Sequence, residues 1–290
     1  MKLAVALKLG RVSNLPTVWS NVLTGMALAG SATADCRLLM LLASLSLFYV
    51  GGMFLNDAFD HGFDARARPE RPIPSGQVSA AQVHAFGFGM MAAGLALLAW
   101  VGYGFEPATQ WRPVAAGIAL AAAIVFYNWH HKNNPLSPLV MGVCRMLVYL
   151  TAALAVAAVV PRQVVIAAVV LLCYLIGLTF AAKKEHLGRL ENAWPLAFLA
   201  VPVVYGIYLA PAQPMVVLPL VLLTAWALYA LWLLRRRKPG DVPRAVVSLI
   251  AGISLLDAML LAGGGHLLFA GLAITAFVTT LALQRWISGT

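Results

Sequence analysis

Charge is what this sequence has least of. Only ten of its 290 residues are Asp or Glu and twenty are Lys or Arg, whereas 62% are hydrophobic and the mean hydropathy is +0.86. So few charges cannot cover a soluble surface, which excludes a water-soluble enzyme or binding module and makes lipid the solvent for most of the chain. Cysteine is scarce too. Cys36, Cys144 and Cys173 have neither metal-ligand spacing nor the even count of a disulfide framework, and they read as small apolar packing residues. A cleaved leader is not expected, because Val12 to Ala34 carries Asn14, Pro16 and Asn21 and is too long for that role. The net charge of +10 would suggest nucleic acid in a soluble protein. In a lipid-embedded chain it reports topology instead, and no nucleic-acid partner is expected.

What is abundant is long apolar runs. They lie at about 14–34, 37–59, 80–102, 113–129, 139–160, 163–182, 193–211, 214–234, 244–262 and 266–286. Backbone polar groups in lipid must be satisfied within helices or closed barrels, and runs near 20 residues select helices. The expectation is an all-α, multi-pass membrane protein with nine or ten transmembrane helices, one domain over residues 1–290. The count is open because only Gly263-Gly264-Gly265 separates the last two runs.

Alternating the spans sorts the basic residues. Lys2, Lys8, Arg11, Arg66, Arg68, Arg71, Lys132, Lys183, Lys184, Arg189, Arg235, Arg236, Arg237, Lys238 and Arg244 fall on one side, against Arg37, Arg112 and Arg162 on the other. The rich side is expected in the cytoplasm, with the N-terminus, in the inner membrane of a bacterium. Acids follow the bases there, although positive-inside bias does not demand it. Asp57, Asp60, Asp64, Glu70, Glu185, Glu191 and Asp241 share that side, and a face carrying both signs suits a metal and an anion together.

Treated as helical, Asn56, Asp57, Asp60 and Asp64 fall at about 0°, 100°, 40° and 80° on one arc. Carboxylates this close need a cation, and oxygen donors suit Mg²⁺, which keeps waters and bridges to phosphate. The bland alternative is a solvated acidic helix end. Arg66, Arg68 and Arg71 follow in a loop stiffened by Pro69, Pro72 and Pro74; arginine forks bind phosphate oxygens in pairs, although a positive-inside loop alone would look the same.

The segment Asn56-Asp57-x-x-Asp60-x-x-x-Asp64 with the trailing Arg71-Pro72-Ile73-Pro74-Ser75-Gly76 resembles the first aspartate-rich motif of the UbiA superfamily of membrane prenyltransferases. The resemblance implies an all-helical fold around a central cavity open to lipid. It also implies transfer of a prenyl group from a prenyl diphosphate, held through Mg²⁺, to a lipophilic, often aromatic, acceptor. On that resemblance Asn56, Asp57, Asp60 and Asp64 are metal ligands or catalytic acids. Arg66, Arg68 and Arg71 are diphosphate contacts, as are Tyr127 and Lys132 at the end of the fourth span.

The second acidic motif departs from the family. Where members carry Asp-x-x-x-Asp, this chain reads Lys184-Glu185-His186-Leu187-Gly188-Arg189-Leu190-Glu191-Asn192. Glu185 stands at the first acidic position, with Asn192 a further metal ligand on the same helical face. Arg189 occupies the second position and either pairs with Glu185 or binds the diphosphate, beside Lys184. Neither His61 nor His186 is expected to hold Mg²⁺, for which imidazole is a poor ligand. Arg145 and Asp257 fall inside spans, where a charge is costly and faces a cavity or a partner. Arg145 is assigned to the diphosphate, and Asp257 with Asn21 to the acceptor cavity, the alternative for Asp257 being a hydrogen bond to a neighbouring helix. Phe59 or Tyr149 would shield an allylic cation. Two other readings stay open: a member that binds prenyl lipid without catalysis, motivated by Arg189, and a transporter using Asp257 and Arg145.

Overall fold

The structure, a computed structural model, describes residues 1–31, 35–106, 108–132, 134–183, 194–287 and 289. The described residues contain helices and no strand. A short helix, α1 (Leu3–Leu9), ends at Gly10, and Arg11 then takes a left-handed backbone (φ 42°) that turns the chain through Val12–Asn14 into α2 (Leu15–Leu28). Pro16 sits in the first turn of α2, where its missing N–H belongs to an orphan position anyway. The long α3 (Cys36–Phe59) starts under a cap in which the Leu38 N–H donates to the Asp35 carboxylate at 3.2 Å. A short α4 (His61–Ala67) follows, and α5 (Ala80–Gly104) opens with a reciprocal Ser79/Gln82 capping box. Then come α6 (Arg112–His130), α7 (Ser137–Leu154) and α8 (Arg162–Lys183). The set closes with α9 (Ala200–Leu209), α10 (Val217–Arg236), α11 (Asp241–Gly263) and α12 (Leu267–Leu283).

Each of the ten apolar runs contains a helix. Among the described residues seven helices are long and apolar enough to cross a membrane: α3, α5, α6, α7, α8, α10 with its leading turn, and α11. The remaining runs hold shorter helices. The first is shorter than the run that announced it, since α2 stops at Leu28 and Gly30 follows at φ 96°. The glycine triplet does break the last two helices apart, with Gly265 left-handed at φ 81°. Asn14, at the head of α2, donates to the Gly289 carbonyl beyond α12 at 2.8 Å. The start of α2 and the end of α12 therefore lie side by side. The protein is an integral, multi-pass membrane protein.

Two helices form the interior. The most apolar stretch of α11 is 89% buried, and α2 packs against α3, α7, α8, α11 and α12. Gly25 permits that closeness, because a Cβ there would stand 2.9 Å from the Tyr149 Cα of α7.

Candidate active site

A cavity of about 520 Å³ lies between α2, α3, α6, α7, α8 and α11, within the size range of small-molecule sites. Its inner wall is apolar, with Val18, Leu45, Phe48, Leu120, Val148 and Ile253 among the contributors. Its mouth is the opposite: Arg11, Asn56, Asp60, Asp64, Arg68, Arg71 and Lys132 line it.

The acids are set by a break in the helix. Asp60 caps α3 and also precedes α4, with φ −83° and ψ −4°, so the single arc expected for a continuous helix divides into two groups. Asp57 and Asp64 converge on Arg71, whose Nη1 lies 3.3 Å from Asp57 Oδ1 and 2.7 Å from Asp64 Oδ2. Arg11 donates to Asp57 Oδ1 at 3.2 Å and to Asn56 Oδ1 at 3.3 Å. Asp60 turns away to Lys132, with Nζ at 2.9 Å from Oδ1, and to His131, with Nε2 at 3.4 Å from Oδ2. All three carboxylates are largely desolvated, and each has a cation in contact, as buried charge requires. Burial pushes the Asp60 carboxyl up, but hydrogen bonds from His131 and Lys132, with their charge, outweigh it and hold the group below the usual carboxylate range.

Neutral contacts fix the rest. Asn56 donates to Asn128 Oδ1 at 3.1 Å while Asn128 donates to the Gly52 carbonyl at 3.0 Å. This chain orients the Asn56 amide with its oxygen toward Arg11. Tyr127 lines the cavity and stacks on His131 with ring centroids 5.0 Å apart, and the Lys132 ammonium stands 3.7 Å over the Phe63 ring.

Several expected residues land elsewhere. Arg66 is exposed and does not line the cavity, unlike Arg68 and Arg71. Asp57 is absent from the wall as well, engaged by its two arginines. Phe59 packs edge-on against His84, and the Tyr149 hydroxyl donates to Asp257, so the rings on the cavity wall are Phe48, Tyr49, Phe63 and Tyr127 instead. Arg145 lines the cavity deeper in, donating to Asn21 Oδ1 at 2.9 Å and Thr17 Oγ1 at 3.1 Å. Asp257 is fully buried and accepts from Ser20 at 2.5 Å and Asn21 at 2.8 Å. Lys184, Glu185, Arg189 and Asn192 lie outside the described residues.

Sequence reasoning gave Arg11, Asn128 and His131 no part in the site. His131 adjoins a motif that was singled out and could have been flagged. The partners of Asp257 had a signal too, since Thr17, Ser20, Asn21 and Thr24 form a polar stripe at helical spacing inside an apolar run. Arg11 had none, because its role depends on a left-handed turn before α2.

As a metal site the donor chemistry fits. Among the described residues no group of three or more His, Cys, Asp or Glu is placed to hold an ion. Asn56, Asp60 and Asp64 nevertheless offer two carboxylates and an amide oxygen along the cavity wall, and Mg²⁺ commonly takes one or two carboxylates and completes its shell with water and substrate phosphate.

The chain and its fold are similar to those of known proteins. The digeranylgeranylglyceryl phosphate synthase of Methanopyrus kandleri is 31% identical over 131 residues, 45% of each chain. The protoheme IX farnesyltransferase of Korarchaeum cryptofilum is 33% identical over 118 residues, 40% of this chain and 37% of its own. This chain thus aligns with less than half the length of these relatives. The fold matches a solved digeranylgeranylglyceryl phosphate synthase structure with TM-score 0.62 at 19% identity, covering 94% of this chain and 99% of that one. It also matches a UbiA homologue from Aeropyrum pernix with TM-score 0.58 at 16% identity, covering 94% and 95%. The family profile of UbiA prenyltransferases matches residues 18–187, which carry the aspartate motif, its arginine loop and most of the cavity wall. The chain belongs to the UbiA prenyltransferase family.

Proposed function

We propose that this protein transfers a prenyl group from a prenyl diphosphate to a lipophilic acceptor, aromatic or otherwise. The observation that carries the reading is one cavity with a charged mouth and an apolar interior, the shape of an anionic head on an isoprenoid tail. Arg68, Arg71 and Lys132 bind the diphosphate oxygens, and Arg11 and Asp57 hold Arg71 and Asn56 in place behind them. Asn56, Asp60 and Asp64 would hold Mg²⁺ at the mouth, with Glu185 and Asn192 as candidate ligands of a second metal. When bound, the metal stabilises the charge that builds on the departing diphosphate. The allylic C–O bond breaks with its electron pair going to the diphosphate, an electron pair of the acceptor forms the new bond to that carbon, and the acceptor loses a proton. Phe48, Tyr49 and Tyr127 face the cavity, where aromatic rings shield a developing cation from water. The mouth opens to the cytoplasmic face of the inner membrane, in keeping with the sidedness of the basic residues.

The test is diphosphate release from farnesyl, geranylgeranyl or longer prenyl diphosphates by the purified protein in nanodiscs, with a membrane extract as acceptor source. Release that needs Mg²⁺ and is lost in Asp60→Ala supports the reading. Absence of turnover in the wild type, or turnover indifferent to Asp60→Ala, sinks it.

A further inference from the structure

Arg145 differs from the other cations of the site in how its charge is balanced. Arg11, Arg71 and Lys132 each touch a carboxylate directly. Among the described residues Arg145 forms no salt bridge. Its guanidinium donates to the neutral oxygens of Thr17 and Asn21 and stands 5.4 Å from the centre of the Tyr49 ring. The counter-ion is one residue further back. The Asn21 amide accepts from Arg145 through Oδ1 and donates from Nδ2 to Asp257 Oδ2 at 2.8 Å, and Ser20 and Tyr149 complete the shell of that carboxylate. Asp257 therefore offsets the charge of Arg145 through the amide without occupying its donors.

A guanidinium has five N–H donors in a rigid fork. Two go to Thr17 and Asn21, and the residue itself lines the cavity. Arg145 lies eight residues beyond Ser137 on α7, about 12 Å of helical rise, between Cys144, Val148 and Ile250 of the apolar wall. Donors left unmatched in an apolar lumen are costly. A planar oxyanion, presented edge-on, matches the fork.

We propose that Arg145 anchors the head group of the acceptor, an amphiphile carrying a carboxylate, phenolate or phosphate oxygen, with Asn21 and Asp257 as positioning residues. The proposal rests on the prenyl-transfer reading for the word acceptor, but the anchor itself is a binding site that can be measured without turnover. Diphosphate at the mouth and oxyanion at Arg145 would then occupy separate cations, so donor and acceptor heads do not compete.

The purified full-length protein in nanodiscs serves for the test, with dodecyl phosphate and dodecanoate as anionic probes, dodecanol as the neutral one, and inorganic phosphate as the free anion. Binding is measured with Mg²⁺ and geranylgeranyl thiodiphosphate filling the mouth. The anionic amphiphiles should bind at least about tenfold more tightly than dodecanol, about 1.4 kcal/mol of preference. That ratio should fall to near one in Arg145→Gln, fall partway in Arg145→Lys, which keeps charge but loses the fork, and survive Arg66→Gln, which removes an exposed cation off the cavity wall. If Arg145→Gln does not fold, Arg145→Lys decides: a reduced ratio supports the anchor and an unchanged one overturns it. A wild-type ratio near one, a ratio that falls as far in Arg66→Gln as in Arg145→Gln, or inorganic phosphate binding as tightly as dodecyl phosphate also overturns it. A wild type that fails to bind the thiodiphosphate yet keeps an Arg145-dependent ratio counts against the prenyl donor alone.

Discussion

At the residue scale, Arg71 and Asp60 separate two kinds of acid–base contact at the mouth. Arg71 bridges two carboxylates of which Asp64 is almost fully buried, with 3% of its side chain exposed. Arg71→Gln strands that charge, which costs about 3 kcal/mol in comparable buried pairs, whereas Asp57 retains Arg11. Unfolding in mild detergent should show a loss of that order, and Arg71→Gln with Asp64→Asn should recover part of it. Additive losses in the double variant would mean that the pair is not coupled. Asp60 makes a second case. Its carboxyl is held below the usual range in the folded protein, so its contribution is present above the unfolded value and is lost as pH falls through the folded one. The stability gap between wild type and Asp60→Asn should be full near neutrality and shrink below about pH 4. A gap that grows on acidification would contradict the assignment. The motif acids themselves were legible, because their spacing places them at one end of a span beside an arginine loop. Arg11 was not, since it lies 45 and 46 positions from its partners and reaches them only through a backbone turn that no propensity announces.

At the element scale, lipid made most of the architecture readable. Where water cannot satisfy the backbone, an apolar run of span length has one outcome, and each of the ten runs holds a helix, although α2 stops at Leu28 and α7 at Leu154, inside runs drawn to 34 and 160. The break at Asp60 escaped for the converse reason: Asp60 stays in the helical backbone region, and which cation each acid faces is decided by α6 and the loop after α4. Helix spacing is the other tertiary matter, and glycines report it. At Gly51 of α3 an added Cβ would stand 2.8 Å from the Gly87 carbonyl of α5, whereas at Gly89 nothing lies within 4 Å. Gly51→Ala should therefore destabilise by about 1–3 kcal/mol as the helices are forced apart, and Gly89→Ala should be neutral or stabilising by up to about 1 kcal/mol through helix propensity. Thermal unfolding of the two variants side by side checks this, and equal losses would mean that α3 and α5 are not held by that contact.

At the scale of the whole molecule, orientation and chemistry are linked through one expectation from the sequence, that the charged mouth and the bulk of the lysines and arginines share a face. On the proposed function the donor is an anion with a soluble head, and a basic face would both draw it in and, by the positive-inside rule, lie in the cytoplasm. The native Cys36 offers an internal reporter, because it is exposed at the start of α3, the end opposite Asn56 and Asp57. In intact cells a membrane-impermeant maleimide should label Cys36 from outside. Glu70→Cys in a Cys36→Ser background, on the exposed loop beside the mouth, should react only after permeabilisation. The reverse pattern would place the mouth outside the cytoplasm, and with it the supply of diphosphate donor. Protection of Glu70→Cys by geranylgeranyl thiodiphosphate, in permeabilised membranes, would tie the sidedness to the site, since Glu70 lies between Arg68 and Arg71 of the cavity wall.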